Sequence, residues 1–123
     1  MPASDLMAEP RFIADRLKTR FQVQAALRLA TTKNIPLIVA RRGDEDAGVI
    51  LLKLNRRDLG FEVLVQSRNG AGDLVWQRVT GAAPVPEGDV DAYIERAVKR
   101  DPDLWVIEIE DRDARPLFAG AII

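Results

Sequence analysis

The sequence predicts an α+β fold: a two-layer sandwich with two helices on one face of a sheet, which combines a four-stranded antiparallel meander with a fifth strand. Two segments repeat apolar residues at helical spacing, and four short β-rich segments lie between them, separated by turns rich in glycine, asparagine and aspartate. A fifth β-rich segment follows the second helix, so the predicted order is α-β-β-β-β-α-β. Such an order is typical of layered α+β domains.

The first helix is predicted to begin at Thr19 and to end at Asn34. Thr19 and Gln22 have the spacing of a capping box, in which two side chains satisfy amides at the start of a helix. Asn34 readily adopts the left-handed conformation that ends helices, and Pro36 cannot continue one. The predicted buried face contains Val23, Ala26, Leu27 and Ala30.

The four strands of the meander are predicted at residues 37–40, 49–54, 61–65 and 74–79. The second of them is apolar on both faces, which indicates a central position in the sheet. The segment 69–73, NGAGD, is a strong signal for a hairpin between the third and fourth strands.

The second helix is the clearest in the sequence. Acidic residues stand in its first turn, after Pro86, and basic residues stand in its last turn, before Asp101, which complements the helix dipole. A fifth strand is predicted at residues 104–110, with Trp105, Ile107 and Ile109 on one face.

Length and composition indicate one domain. A chain of 123 residues with 47% hydrophobic residues is long enough to bury a core of its own. Residues 1–10 are expected to form a flexible tail, and residues 11–123 a single α+β domain.

The absence of two residue types excludes most catalytic chemistry. The chain contains no cysteine and no histidine, so it has no disulfide, no thiol or imidazole metal ligand, and no Ser-His or Cys-His nucleophile pair. We therefore predict no catalytic residue and no cofactor.

Charge and hydropathy also limit the partners. The net charge is −1, the sum of +3 in residues 1–40, +1 in residues 41–78 and −5 in residues 79–123. A nucleic-acid partner is not expected from this balance. The apolar run 117–123 has seven residues, against about 20 for a membrane-spanning helix. With no secretory signal pattern, we expect a cytoplasmic protein without a membrane partner.

Carboxylates remain as the only candidates for metal chemistry. Asp44 and Asp46 lie in the acidic turn 43–48, and Glu108 and Glu110 share one face of the fifth strand. If the two pairs converged, they would bind Mg²⁺ or Mn²⁺ and support a hydrolase or phosphoryl-transfer reaction. A solvated turn and a polar strand face explain the same residues without a metal.

Arginine and tryptophan side chains suggest surfaces for partners. Arg42, Trp76 and Trp105 are the interaction candidates, since an exposed indole is a frequent anchor of protein interfaces. We expect Trp105 to lie in the core, whereas the sequence does not decide whether Trp76 is buried or exposed. If Trp76 stood with arginines on one exposed sheet face, that face would suit single-stranded RNA.

Two motifs resemble a known family. Residues 41–48, RRGDEDAG, and residues 101–111, DPDLWVIEIED, are similar to those of small bacterial proteins in the domain-of-unknown-function family number fourteen ninety-one (DUF1491). The likeness spans roughly residues 17–112, including residues 23–25 and 92–94. The resemblance implies a cytosolic single-domain protein with no assigned activity, and it provides no catalytic residue.

The leading functional hypothesis is therefore a small, non-catalytic interaction module that binds a protein partner or itself. A sheet with helices on one face leaves an open face and open edges. The apolar tail 116–123 is expected either to cover such an edge or to pair across a dimer.

Overall fold

The computed structural model describes residues 17–123. It confirms the α+β class and the predicted order α-β-β-β-β-α-β, and it adds a sixth strand of two residues. Apart from a 3-10 turn at Arg57–Leu59, the elements in chain order are α1 (Thr19–Lys33), β1 (Leu37–Arg41), β2 (Ile50–Asn55), β3 (Phe61–Arg68), β4 (Leu74–Arg78), α2 (Glu87–Arg100), β5 (Trp105–Glu110) and β6 (Ala121–Ile122). The tail expected at residues 1–10 lies outside the described residues.

The sheet is mixed, and the prediction of a four-stranded antiparallel meander was wrong in one respect. Its strand order is β1-β5-β2-β3-β4-β6, so only β2, β3 and β4 form a meander. The fifth strand lies between β1 and β2, antiparallel to β1 and parallel to β2. A parallel neighbour requires a long crossover connection, and α2 provides it on the way from β4 to β5.

The two helices lie on opposite faces of the sheet, so the prediction of two layers with both helices on one face was wrong. Val23 of α1 belongs to the same buried cluster as Ile50 and Leu52, whereas Val90 of α2 belongs to the cluster that contains Leu51. Neighbouring residues of a strand point to opposite faces. Because β2 is apolar on both faces, a helix on one face alone would have left the other face in water.

The start of α1 differs in detail from the predicted capping box. Lys18 is the residue that precedes the helix, and Thr19 is its first helical residue. The Thr19 hydroxyl donates to the Gly48 carbonyl over 2.7 Å, and the Gln22 amide donates to the Leu17 carbonyl over 3.1 Å. At the other end, Asn34 has the expected left-handed φ of 55°.

The segment after β5 folds back over the α1 face of the sheet. Its last residues form β6, which pairs with β4 in parallel. The apolar tail therefore covers one edge of the sheet, which is one of the two roles expected for it. The opposite edge of the sheet is β1.

Candidate functional site

The two sequence motifs, 41–48 and 101–111, lie against each other at the start of β5. The Asp44 amide donates to the Asp103 carbonyl over 3.0 Å, and the indole of Trp105 donates to the Asp44 carbonyl over 2.7 Å. The Arg41 guanidinium donates to the Leu104 carbonyl over 2.6 Å. We call this region, formed by residues 41–48 and 101–105, the motif junction.

A glycine is required at the centre of the motif junction because the backbone approaches too closely for any side chain. A Cβ atom at Gly43 would lie 2.1 Å from the Asp103 carbonyl oxygen and 2.7 Å from the Trp105 ring. The turn 43–48 also does not close a hairpin, since β5 separates β1 from β2. It passes around the beginning of β5 instead.

The motif junction also caps α1. The Thr19 amide donates to the Asp46 carbonyl over 3.2 Å, and the Arg20 amide donates to the Glu45 carbonyl over 2.9 Å. The first amides of a helix have no partner within the helix. Main-chain oxygens of the acidic turn satisfy two of them, so the turn has a structural role that its sequence alone did not reveal.

Arg42 and Glu45 form the exposed rim of the motif junction. The Glu45 carboxylate contacts the guanidinium groups of Arg42 and Arg20. Hydrogen bonding to Arg42, followed by its charge, holds the pKa of Glu45 below its ordinary value. The Arg42 guanidinium also lies 5.8 Å from the centroid of the Trp105 ring.

The two carboxylates of the turn are engaged locally. One carboxylate oxygen of Asp44 accepts from the Ala47 amide at 2.8 Å and from the Asp46 amide at 3.2 Å. The Asp46 carboxylate lies 3.6 Å from the Lys18 ammonium. Both arrangements are typical of an aspartate turn.

The carboxylates of β5 belong to a different part of the molecule. Glu110 lies 3.3 Å from the Arg57 guanidinium, and Glu108 lies 3.6 Å from the Lys53 ammonium. The turn meets β5 at Trp105, and a strand advances about 17 Å over the five residues from there to its end. The structure therefore does not bring the two candidate pairs together. Within residues 17–123, no three acidic groups are arranged to hold a metal ion.

A buried lysine occupies the centre of the main acidic cluster. Lys53 is 8% exposed, and its ammonium lies 2.7 Å from Glu87, 2.8 Å from Asp91 and 3.6 Å from Glu108. Burial lowers the pKa of Lys53, but hydrogen bonds to Asp91 and Glu87 and the charge of Glu108 outweigh it and raise the pKa above its ordinary value. This cluster already contains its cation.

Sequence reasoning missed the role of Lys53. The signal was a single lysine in an otherwise apolar central strand, together with acidic residues in the first turn of α2. The same acidic residues also complement the helix dipole, which by itself accounts for their position. Since a buried charge requires a partner, the lysine and the acidic turn predict each other.

Neither tryptophan is an exposed anchor. Trp76 is 2% exposed and Trp105 is 3% exposed, so Trp105 lies in the core as expected. The Trp76 indole donates to the Ala119 carbonyl over 2.9 Å, and its ring contacts Phe118 edge-on. The surface on which the RNA-binding alternative depended, with Trp76 exposed, does not exist in the structure.

Among the strands in the described part of the chain, β1 has the most exposed large apolar side chain. Ile38 is 60% exposed and Val39 is 37% exposed. On its inner side β1 pairs with β5, and a bulge follows Val39. No helix in residues 17–123 is long and apolar enough to cross a membrane.

Comparisons with known proteins identify relatives but not an activity. A crystal structure of a DUF1491 family protein from Caulobacter crescentus CB15 is 35% identical, with a TM-score of 0.75 over 88% of this chain and 98% of that one. An NMR structure of a DUF1491 family protein from the same organism is 37% identical, with a TM-score of 0.76 over 88% and 97%. The solution structure of an A. tumefaciens protein is 25% identical, with a TM-score of 0.71 over 85% and 94%. Among curated proteins, none matches the chain.

The family model described as "Protein of unknown function (DUF1491)" matches residues 17–119, which include both motifs of the motif junction. The resemblance seen in those motifs is thereby confirmed, and the chain belongs to the DUF1491 family.

Proposed function

We propose that this protein is a non-catalytic interaction module that associates with a second copy of itself through strand β1. The observation that carries the proposal is the exposed apolar edge of the sheet, where Ile38 is 60% exposed. We also propose a location in the bacterial cytoplasm, since the named relatives come from bacteria and a chain without cysteine needs no oxidising compartment.

The main-chain groups of β1 are suitably oriented for pairing. The Glu110 amide donates to the Pro36 carbonyl over 3.0 Å, and Ile38 stands opposite Glu108 in the antiparallel register. Main-chain groups alternate in direction along an antiparallel strand. Those of Leu37 and Val39 are therefore directed away from β5, towards the position of an added strand.

The side chains of β1 do not oppose such pairing. Residues 37–40, LIVA, carry no charge, and Arg41, the one charged residue of β1, donates to the Leu104 carbonyl of its own chain. Charges and proline within an edge strand are common protections against pairing. Two copies of β1 that run antiparallel about a twofold axis at Val39 place Ile38 opposite Ala40 of the partner. No like charges then face each other across the new pair of strands.

The acidic cluster of the α2 face does not prevent association. Glu108 lies one strand away from β1, so the two copies of this residue would be three strand spacings apart, or about 14 Å. That separation exceeds the Debye length of about 8 Å at physiological ionic strength. Repulsion between the two clusters is therefore largely screened.

The test is the oligomeric state of matched variants. We expect light scattering to give a dimer for the wild-type protein and a monomer for Ile38→Lys, because an ammonium group in the new pair of strands would lose its water. Ile122→Lys is the control, since Ile122 is 46% exposed at the opposite edge, and it should remain a dimer. The proposal would be contradicted if the wild-type protein were a monomer at high concentration, or if Ile38→Lys and Ile122→Lys lost the dimer to the same extent.

A second variant tests the pairing of main chains directly. In Val39→Pro the amide directed away from β5 is removed, and proline is tolerated at such edge positions. We expect a monomer with an unchanged circular dichroism spectrum. A dimer that survived Val39→Pro would show that association occurs through another surface.

A further inference from the structure

We infer that the cavity between the sheet and the C-terminal segment is a binding site for a small, neutral, planar aromatic molecule. The segment 111–123, here called the C-terminal strap, crosses the α1 face of the sheet and encloses a cavity of about 300 Å³. Its floor is formed by side chains of β2, β3, β4 and β5, and none of its lining residues belongs to β1. The inference is thus independent of self-association.

The lining is mainly apolar, with a buried floor and an exposed rim that includes Pro116 and Ile122. Leu64 on the floor is 5% exposed, Ile109 is 2% exposed, and Leu117 of the strap is 7% exposed. A cavity with such walls does not attract water, because water needs two or more polar partners to enter. The space therefore favours an apolar occupant.

The roof of the cavity is fixed at both ends, which keeps it from collapsing onto the floor. At one end the Asp111 amide donates to the Asn55 carbonyl of β2 over 2.9 Å, and the Arg115 guanidinium donates twice to the Asp111 carboxylate, at 2.9 and 3.1 Å. At the other end the Trp76 indole donates to Ala119, and the Ile123 amide donates to the Trp76 carbonyl over 2.8 Å. The void is thus built into the hydrogen-bonded frame of the strap.

A glycine lets the strap approach Trp76 this closely. Gly120 has a φ of 117°, and a Cβ atom there would lie 3.2 Å from the Trp76 ring. Any other residue at Gly120 would strain the backbone and press on the indole. The chain is therefore suited to hold an aromatic wall against the cavity.

Volume and charge define the class of ligand. An apolar cavity of about 150 Å³ binds benzene, so 300 Å³ suits about twelve non-hydrogen atoms, the size of two fused rings. Arg115 is the charged side chain of the lining, and Asp111 already neutralises it. The site therefore has no free charge for an anionic ligand. The edge-on pair of Trp76 and Phe118 favours an aromatic occupant over an aliphatic one.

Two-dimensional NMR with naphthalene as the probe tests the inference. We expect saturable shifts of the Trp76 indole proton and of the Ala119 and Gly120 amides, with no shift of the Trp105 indole proton, which lies at the motif junction. Intermolecular NOEs should connect naphthalene to the methyl groups of Leu64. An absence of shifts at saturating naphthalene, or shifts centred elsewhere, would overturn the inference.

Two matched variants and a second probe test whether the ligand binds inside the cavity and whether it is aromatic. Leu64→Phe adds volume inside the cavity and should weaken binding at least about tenfold, whereas Leu59→Phe makes the same change at a residue that is 39% exposed and should leave affinity unchanged. If Leu64→Phe does not fold, the NOEs of the wild-type protein decide the question. n-Octanol that bound more tightly than naphthalene would contradict the aromatic class and indicate an acyl chain.

Discussion

The two faces of the sheet are covered in different ways. On one face, α2 supplies an apolar stripe that packs on β2, β3 and β5, and Lys53 joins this helix to the sheet through Glu87 and Asp91. On the other face, α1 covers only part of the sheet, and the C-terminal strap covers the rest through Leu117. The cavity under the strap is about 300 Å³, against about 140 Å³ for the cleft beside α2.

The difference between the faces shows that a helix and an irregular segment cover an apolar sheet with different packing density. A helix presents a continuous stripe of side chains, and therefore packs densely on a sheet. A strap of irregular chain presents few apolar side chains, so it relies on hydrogen bonds at its ends and leaves a void between them. We expect the strap to open independently of the rest of the fold, and the α2 face to open only with global unfolding.

The largest expected effect is that of Trp76→Ala. The change removes a side chain that is 2% exposed, together with the hydrogen bond to Ala119, and should lower the free energy of unfolding by about 3–5 kcal/mol. Chemical denaturation measures this loss, and hydrogen exchange should show the strap amides exchanging before those of α2. If the amides of the strap and of α2 lost protection from hydrogen exchange equally, the strap would not open independently of the α2 face.

The next effect is that of Lys53→Met on the other face. Removing the ammonium leaves three carboxylates close together, and we expect a loss of about 2–3 kcal/mol, below the value for a fully buried pair because Glu87 and Asp91 are half exposed. Lys99→Ala, which breaks an exposed pair with Glu95, is the control and should change stability by less than about 0.5 kcal/mol.

The raised pKa of Lys53 also predicts how the stability of the protein changes at alkaline pH. Its pKa in the folded protein is raised above 10.5, so its contribution is complete below that pH and is lost as the pH rises through the folded pKa. The wild-type protein should therefore lose stability at strongly alkaline pH by a margin that Lys53→Met does not share. If the stability of both proteins fell equally as the pH rose, the deprotonation of Lys53 would not be the cause of the loss.

The smallest effect concerns Asp111 at the beginning of the strap. Hydrogen bonds from Arg115 hold its pKa below its ordinary value of 3.8, so its contribution is present above that pH and is lost as the pH falls through the folded pKa. Asp111→Asn should cost about 1–2 kcal/mol at neutral pH. The difference from the wild-type protein should narrow below about pH 4, and thermal unfolding at a series of pH values measures it.

Local patterns in the sequence predicted most of the elements but not all of their roles. The stripe of α2, the left-handed Asn34 and the segment 69–73 each depend on neighbouring residues, and each was confirmed. The alternative of a carboxylate metal site joined residues far apart in the chain. Its two halves lie at different positions along β5, because register and strand order, rather than residue type, decide which side chains meet.

The sequence by itself determined the elements, the central position of β2 and the absence of thiol and imidazole chemistry. Only the tertiary structure decided that β5 enters between β1 and β2, that the helices lie on opposite faces, and that Lys53 meets Glu87 and Asp91 of α2. The physical reason is one of range. Periodicity and turns act over a few residues, whereas the choice of strand partners depends on how both faces of β2 are removed from water.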